Sequence, residues 1–195
     1  MSMDTGKRGP GRPRSVRAHE SVLEVVVPLI EAHGYGALTI EALARRAGVS
    51  KQTIYRWWDG KAEIVMEALE AAAAQAPPTP DSGSVEQDVR AFMSTTIAAA
   101  GGGNGRLLAG LMAEAQLDET FAASFRERFL ARRLEALGEI LERGRGRGEI
   151  AASADVAFLA EIAFAALWYR LLVRNAPLDG RFAGELTDVV LKLAR

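Results

Sequence analysis

The sequence predicts an all-α fold, in which a small N-terminal three-helix unit with a helix-turn-helix precedes a larger helical body, about nine helices in all. Three observations carry this expectation. Val, Ile and Thr nowhere alternate with polar residues over a strand's length, whereas Ala-rich amphipathic segments recur along the 195 residues. Two short helical segments meet at a tight Gly48-Val49 turn. A Pro/Ser-rich stretch, Pro77 to Ser84, then separates them from a second set of apolar stripes at helical spacing.

The elements follow in order. The first helix is expected from about Ser15 to His33, with Gly34 as its left-handed C-terminal residue. Pro28 inside it forfeits the bond to the Glu24 carbonyl and predicts a kink. A short helix from Thr39 to Ala47 takes Thr39 as N-cap, and Ser50 caps another reaching Trp57 or Trp58. A longer helix runs from Lys61 to Gln75. Beyond the linker, Val85 to Ala100 reads as helix, Gly101 to Gly105 as its break, and Leu107 to Met112 as a short helix. Phe121, Phe125, Phe129, Leu130, Leu134, Leu137 and Leu141 stripe a long one, which is expected to end in a flexible loop at Gly144-Arg145-Gly146-Arg147-Gly148. Ala154 to Arg174 and Phe182 to Leu193 supply the last two, the latter with one apolar face. The domain boundaries predicted are a basic, disordered arm over 1–14, a head over 15–60 and a body over 61–195.

Composition excludes several functions. Without cysteine there is no thiolate nucleophile, disulfide framework or Cys-based metal site. His19 and His33 are too few for a histidine metal centre, so no metal and no cofactor are expected. Glu114 with Asp118 and Glu139 with Glu142 read as solvated carboxylate pairs, and no nucleophile–base pair marks an enzyme. No run of about 18 uncharged apolar residues is present, so no membrane span is expected and the cytoplasm is the expected location. The formal net charge of −1 hides an asymmetry. Residues 1–60 hold nine basic and six acidic residues, and residues 61–195 hold 15 basic and 19 acidic. Lys7 to Arg17 carries five cations and no anion, and Arg45 to Arg56 four more. A basic head on an acidic body fits a polyanion partner.

The turn region gives that partner a form. Leu43, Ala44, Val49 and Ile54 make the apolar inside of a two-helix corner, and Gly48 supplies a turn conformation that a Cβ disfavours. Lys51, Gln52, Thr53, Tyr55 and Arg56 are left outward, a cationic, carboxylate-free face suited to a major groove, with Arg46 and Ser50 among the flanking cations and hydroxyls that hold phosphates. The run "GYGALTIEALARRAGVSKQTIYRWWDGK", Gly34 through Lys61, resembles the N-terminal signature of the TetR family of transcriptional regulators. The resemblance is strong over residues 16–65 and looser over 85–195. It implies phosphate contacts from Thr39 and Lys61, base contacts from Lys51, Gln52 and Thr53, and backbone-facing positions for Tyr55, Arg56 and Trp57, with Trp58 in the core. Upstream, Gly9-Pro10-Gly11-Arg12-Pro13-Arg14 resembles part of an AT-hook, whose extended backbone would carry Arg12 and Arg14 into a minor groove; a disordered basic tail is the other reading.

The resemblance also implies a ligand-binding and dimerisation body. The pocket is expected among Phe92, Met93, Thr96, Leu108, Leu111, Met112, Phe125, Phe129, Phe164 and Trp168, and an apolar small-molecule effector with few charges. Dimer contacts are expected from Ala160, Leu167, Leu171, Phe182, Leu186, Val189, Val190 and Leu193, giving a homodimer on palindromic double-stranded DNA. The reading is therefore a repressor released from its operator by ligand. An architectural DNA-binding protein without effector control, and an all-helical enzyme, are the alternatives.

Overall fold

In the computed structural model of the chain, residues 12–74, 79–102 and 104–195 are described. Ten α-helices and no strand occur among them. Three make the head, α1 (Arg12–His33), α2 (Ile40–Ala47) and α3 (Lys51–Tyr55), and α4 (Lys61–Ala74) leads from it to the body. Six make the body: α5 (Val85–Gly101), α6 (Asn104–Ala115), α7 (Glu119–Phe125), α8 (Ala131–Gly146), α9 (Val156–Val173) and α10 (Gly180–Ala194). A π-turn, Arg126–Leu130, joins α7 to α8 end to end, so the pair forms the single long stripe that the sequence predicts.

Helix starts follow side-chain capping. Thr39, Ser50, Ser84, Asp118, Asp155 and Asp179 each accept a backbone N–H from the first turn that follows. α1 ends where Gly34, at φ 79°, donates its N–H to the Ile30 carbonyl at 2.8 Å. Pro28 lies inside α1 as expected, and two expectations change. α1 starts at Arg12, so Arg12, Pro13 and Arg14 lie in a helical turn rather than an extended arm; proline is tolerated there because first-turn N–H groups have no partner to lose. Residues 1–11, the remainder of the arm, lie outside the described residues. Finally, the glycine-arginine run is helical to Gly146. Gly144 is there for closeness, since a Cβ on it would come 2.6 Å from Cγ2 of Val85 in α5.

Two contacts besides α4 itself fix the head to the body, both on α6. Tyr35, in a 3-10 turn (Tyr35–Ala37), lays its ring against Gly110, where an added Cβ would overlap the Tyr35 Cβ and Cγ atoms. Its hydroxyl donates to Glu114 Oε2 at 3.4 Å, and burial followed by that carboxylate pushes the phenol well above its ordinary pKa. Arg106 donates to the Glu31 carbonyl in the last turn of α1 at 2.9 Å, a cation placed at a helix C-terminus.

α9 corrects the membrane arithmetic. It is 18 residues long with mean hydropathy 1.8, enough by length and composition to span a bilayer despite Glu161 and Arg170. Its inner side, including Ala160, Ala163, Phe164, Leu167 and Leu171, is buried within the chain. Its outer side leaves Phe158, Tyr169, Leu172 and Val173 in solvent. α10 packs beside it, burying Phe182, Leu186 and Val190 and exposing Val189 and Leu193. Of the expected dimer residues, Ala160, Leu167, Leu171, Phe182, Leu186 and Val190 thus belong to the chain's own core, and only Val189 and Leu193 reach the outside. Phe158, Tyr169 and Leu172 on α9 complete the apolar face that the sequence reading missed.

The glycine contacts give a paired prediction. Gly110→Ala gains helix propensity but collides with Tyr35, and urea melts should show a net loss of about 1–3 kcal/mol. Gly138→Ala, in α8 with only Val156 Cγ1 nearby at 4.0 Å, should instead stabilise by about 0.5–1 kcal/mol. Equal effects of the two would remove the close approach at Gly110 as a constraint.

Candidate functional site

The reading face is built by local rules. Gly48 takes φ 69°, the left-handed conformation that turns the chain between α2 and α3, and its N–H bonds the Ala44 carbonyl. Leu43, Ala44 and Ile54 close the corner beneath it, with Val49 partly buried at its edge. Ser50 Oγ accepts the Thr53 N–H at 3.1 Å and lies 2.9 Å from the Thr53 hydroxyl. Thr39 Oγ1 is likewise committed to capping, accepting from the Ala42 N–H. Gln52, Tyr55, Arg56 and Trp57 stand exposed on or just after α3, with Arg46 exposed on α2.

Two of the expected cationic DNA contacts, Lys51 and Lys61, are also engaged within the chain. Lys51 Nζ donates to Glu41 Oε1 at 2.6 Å, a bond that lowers the Glu41 carboxyl below its usual range and raises the Lys51 ammonium. Both side chains are exposed, so the pair costs little to open. Lys61 opens α4, 4.5 Å above the Tyr35 ring and 3.5 Å from the Tyr35 carbonyl oxygen. That carbonyl and the π-face hold the ammonium where an α-helix N-terminus alone would repel it.

Behind α3 lies a cluster that the sequence reading did not foresee. His19, expected as a plain surface residue, stacks on Trp58 at 4.6 Å and meets Trp57 edge-on at 4.9 Å. His19 Nε2 lies 2.9 Å from Glu67 Oε1, and Trp58 Nε1 donates to Glu67 Oε2 at 2.6 Å. One carboxylate on α4 thereby ties α1 to the end of the reading helix. Trp58 is buried, as the family resemblance implies.

The body holds a cavity of about 340 Å³ between α4, α5, α6, α8 and α9. Thr96, Leu108, Phe129, Phe164 and Trp168 line it, as expected. Five other expected pocket residues do not. Phe92 meets Phe164 edge-on and Phe125 meets Trp168 edge-on while stacking on Phe129, so both support the wall from behind. Met93 and Leu111 are fully buried core, and Met112 packs against the core away from the cavity. Leu167, assigned to dimer contacts, lines the cavity instead. The lining also contains Leu69, Ala72 and Ala73 of α4, Ala99 and Ala100 of α5, and Ala165 of α9. Small side chains are what leave the space. Two charged residues reach the lining, Arg133 and Glu161, against the expectation of an uncharged pocket.

α4 is gripped from below by Arg128 of the π-turn. Its Nε and NH2 bond Glu70 at 2.9 and 2.7 Å, and its NH1 bonds Glu63 at 2.9 Å. These bonds, Glu70's first, hold the guanidinium above its ordinary pKa. The same turn contributes Phe129 and Leu130 to the cavity wall.

Comparison with known proteins agrees with this geometry. Residues 22–68 match the family model for bacterial regulatory proteins of the tetR family, and residues 79–190 match the tetracyclin repressor-like C-terminal domain. The HTH-type transcriptional regulator YdeS of Bacillus subtilis is 33% identical over 90% of this chain and 89% of its own. The DNA-binding transcriptional repressor TetR of Mycobacteroides abscessus is 31% identical over 88% and 90%. The crystal structure of the TetR family transcription regulator SCO0332 superposes with a TM-score of 0.74 at 30% identity, covering 92% of this chain and 99% of that one. FadR of Bacillus subtilis, solved in complex with stearoyl-CoA, shares the fold at TM-score 0.69 and 16% identity, over 91% of this chain and all of its own. The head, the turn and the chambered body therefore have one reading: this chain belongs to the TetR family and is a helix-turn-helix, DNA-binding transcriptional regulator rather than an enzyme.

Proposed function

We propose that the chain acts in the bacterial cytoplasm as a homodimeric repressor, released from a palindromic operator when a small, mostly apolar effector enters the cavity. The observation that carries this reading is the double role of α4. Its first turns carry Lys61 and Glu67, which meet the head, and its later turns carry Leu69, Ala72 and Ala73 on the cavity wall. α6 repeats the arrangement, lining the cavity with Asn104 and Leu108 while Arg106, Gly110 and Glu114 meet the head. A ligand that fits the cavity best with these two helices displaced favours a different head position. Its leverage is its difference in affinity between the two states.

On the DNA, Lys51, Gln52 and Thr53 take base edges, and Lys51 leaves Glu41 to do so. Arg46, Ser50, Tyr55, Arg56, Trp57, Thr39 and Lys61 hold the backbone; Arg12 and Arg14 add phosphate contacts from the first turn of α1. The outer faces of α9 and α10 form the dimer contact. Phe158, Ala165 and Leu172 recur at intervals of seven with Tyr169 between, beside Val189 and Leu193 of α10. Two copies related by a two-fold axis would join these helices into a four-helix interface and set the reading helices about 34 Å apart. The DNA-binding repressor of Mycobacteroides abscessus supports the repressor reading by analogy, and FadR in complex with stearoyl-CoA supports ligand binding.

Fluorescence anisotropy on DNA from immediately upstream of the gene, against a scrambled duplex at near-physiological salt, is expected to show at least a thousandfold preference with two chains per site. Equal, salt-labile binding to both duplexes would favour the architectural alternative. Lys51→Ala should cost about 1–3 kcal/mol at one base-pair position and relax the preference there. Lys61→Ala should weaken binding to every sequence and lower the salt slope by about one. Matching profiles for the two variants would refute the division of roles. Leu172→Glu with Leu193→Glu should keep the helical circular dichroism but sediment as monomer and lose tight operator binding; dimers of unchanged stability would place the contact elsewhere.

A further inference from the structure

The cavity wall carries a cation that the protein leaves without a counter-charge. Arg133, one turn into α8, lines the cavity beside Leu130 and Leu134 and is partly buried. Among the described residues no carboxylate or carbonyl bonds it. Its guanidinium carbon lies 5.5 Å from the Phe129 ring centroid. Burial lowers its pKa from the ordinary arginine value, with no carboxylate raising it in return. Other partly buried arginines of the body each have a bonded oxygen: Arg128 has Glu63 and Glu70, Arg143 has Asp81 and the Pro80 carbonyl, and Arg170, which also lacks a carboxylate and lies over the Phe182 ring, donates to the Pro177 carbonyl. An ionised group drawn from water without a partner is destabilising, and an anion in the cavity would supply the missing partner.

We propose that the effector is an amphipathic monocarboxylate, whose head group pairs with Arg133 and whose apolar body lies among Phe129, Phe164, Trp168 and Leu69. This deepens the effector reading above and rests on the cavity being the effector site. The planar guanidinium fork accepts a carboxylate through two parallel N–H···O bonds, which a hydroxyl or an ester cannot reproduce. The single charge follows from the rest of the lining. Arg133 is the sole cation there, and Glu161, exposed at the rim, adds a negative charge that opposes a dianion. The other polar groups, Thr95, Thr96 and Asn104, are neutral. Glu161 is hydrated and calls for no ligand of its own, so a cationic effector is disfavoured. At about 340 Å³ the space sits near the lower end for small-molecule sites, which suits a compact ring or short chain rather than a nucleotide conjugate.

Calorimetric titration of the full-length protein with four ligands of one skeleton tests this: 6-phenylhexanoate, 6-phenylhexan-1-ol, 6-phenylhexylamine and 6-phenylhexyl phosphate. The carboxylate is expected to bind at least tenfold tighter than each of the others. Arg133→Gln should abolish that margin while leaving the alcohol within twofold of its original affinity, and Arg133→Lys should keep part of it. A thermal melt of each variant checks folding; the ranking on the unmodified protein stands as a test if a variant fails. An alcohol or amine that binds as tightly as the carboxylate, a margin that survives Arg133→Gln, a tighter phosphate, or no binding of any ligand at millimolar concentration would each overturn the proposal. Operator release is read separately. Carboxylate binding through Arg133 without loss of operator affinity would keep the head-group assignment and reject the release mechanism. Release by the alcohol alone would keep the mechanism and reject the carboxylate.

Discussion

A reading head that hung from a flexible tether would sample every orientation, and the seat of Tyr35 on the bare backbone of Gly110 is what removes that freedom. The ring lies flat on α6 because no Cβ holds it off, and its buried hydroxyl finds Glu114. Around that contact the other ties fall into place. Arg106 closes the end of α1, Lys61 sits over the same ring at the start of α4, and Glu67 binds both His19 and Trp58. The head is thus fixed on two helices, α4 and α6, and both also line the cavity. A displacement of either helix at the cavity has to appear at the head, since a packed interface responds by moving between arrangements rather than by stretching.

The head was legible in the sequence because its determinants are local. Thr39, Gly48 and Ser50 each act on groups within five residues, and the alternation of Leu43, Ala44 and Ile54 with charged neighbours marks inside from outside. The body was legible only as helices. Its cavity was sought among large apolar side chains, yet large side chains fill space: Phe92, Met93, Leu111 and Phe125 turned out to be wall backing or core. Space survives beside Ala72, Ala73, Ala99, Ala100 and Ala165, residues that carry no signal in a hydrophobic stripe. The dimer face failed for a related reason. α9 is apolar on nearly every side, so periodicity cannot say which side the chain itself buries, and only packing against α5, α6, α8 and α10 decides it.

Charged side chains show the same divide between composition and context. The cluster Arg45 to Arg56 reads as a free cationic face, but Lys51 is held by Glu41 across the turn, ten residues away. In the DNA-free protein this bond keeps a long, flexible side chain folded back along α2. On the proposed reading, binding DNA exchanges this exposed ion pair for a base-edge contact, so Lys51 would add more to the choice of sequence than to overall affinity. His19 is the reverse case, an isolated histidine in the sequence that becomes the hub between two tryptophans and a carboxylate.

Two arginines on one rod state the remaining logic. Arg128 and Arg133 stand five residues apart, on either side of the point where the π-turn gives way to α8. Arg128 faces α4 and is satisfied by Glu63 and Glu70. Arg133 faces the cavity, 5.5 Å from the Phe129 ring centroid. Had both served only the fold, a second pair of acids or an apolar replacement at Arg133 would give the more stable protein, since an unpaired, partly buried charge is a cost with no structural return. The Phe129–Leu130 segment between them belongs to the cavity wall, so a group that pairs with Arg133 presses on the turn from which Arg128 grips α4. Ligand charge and head position then meet in five residues of backbone.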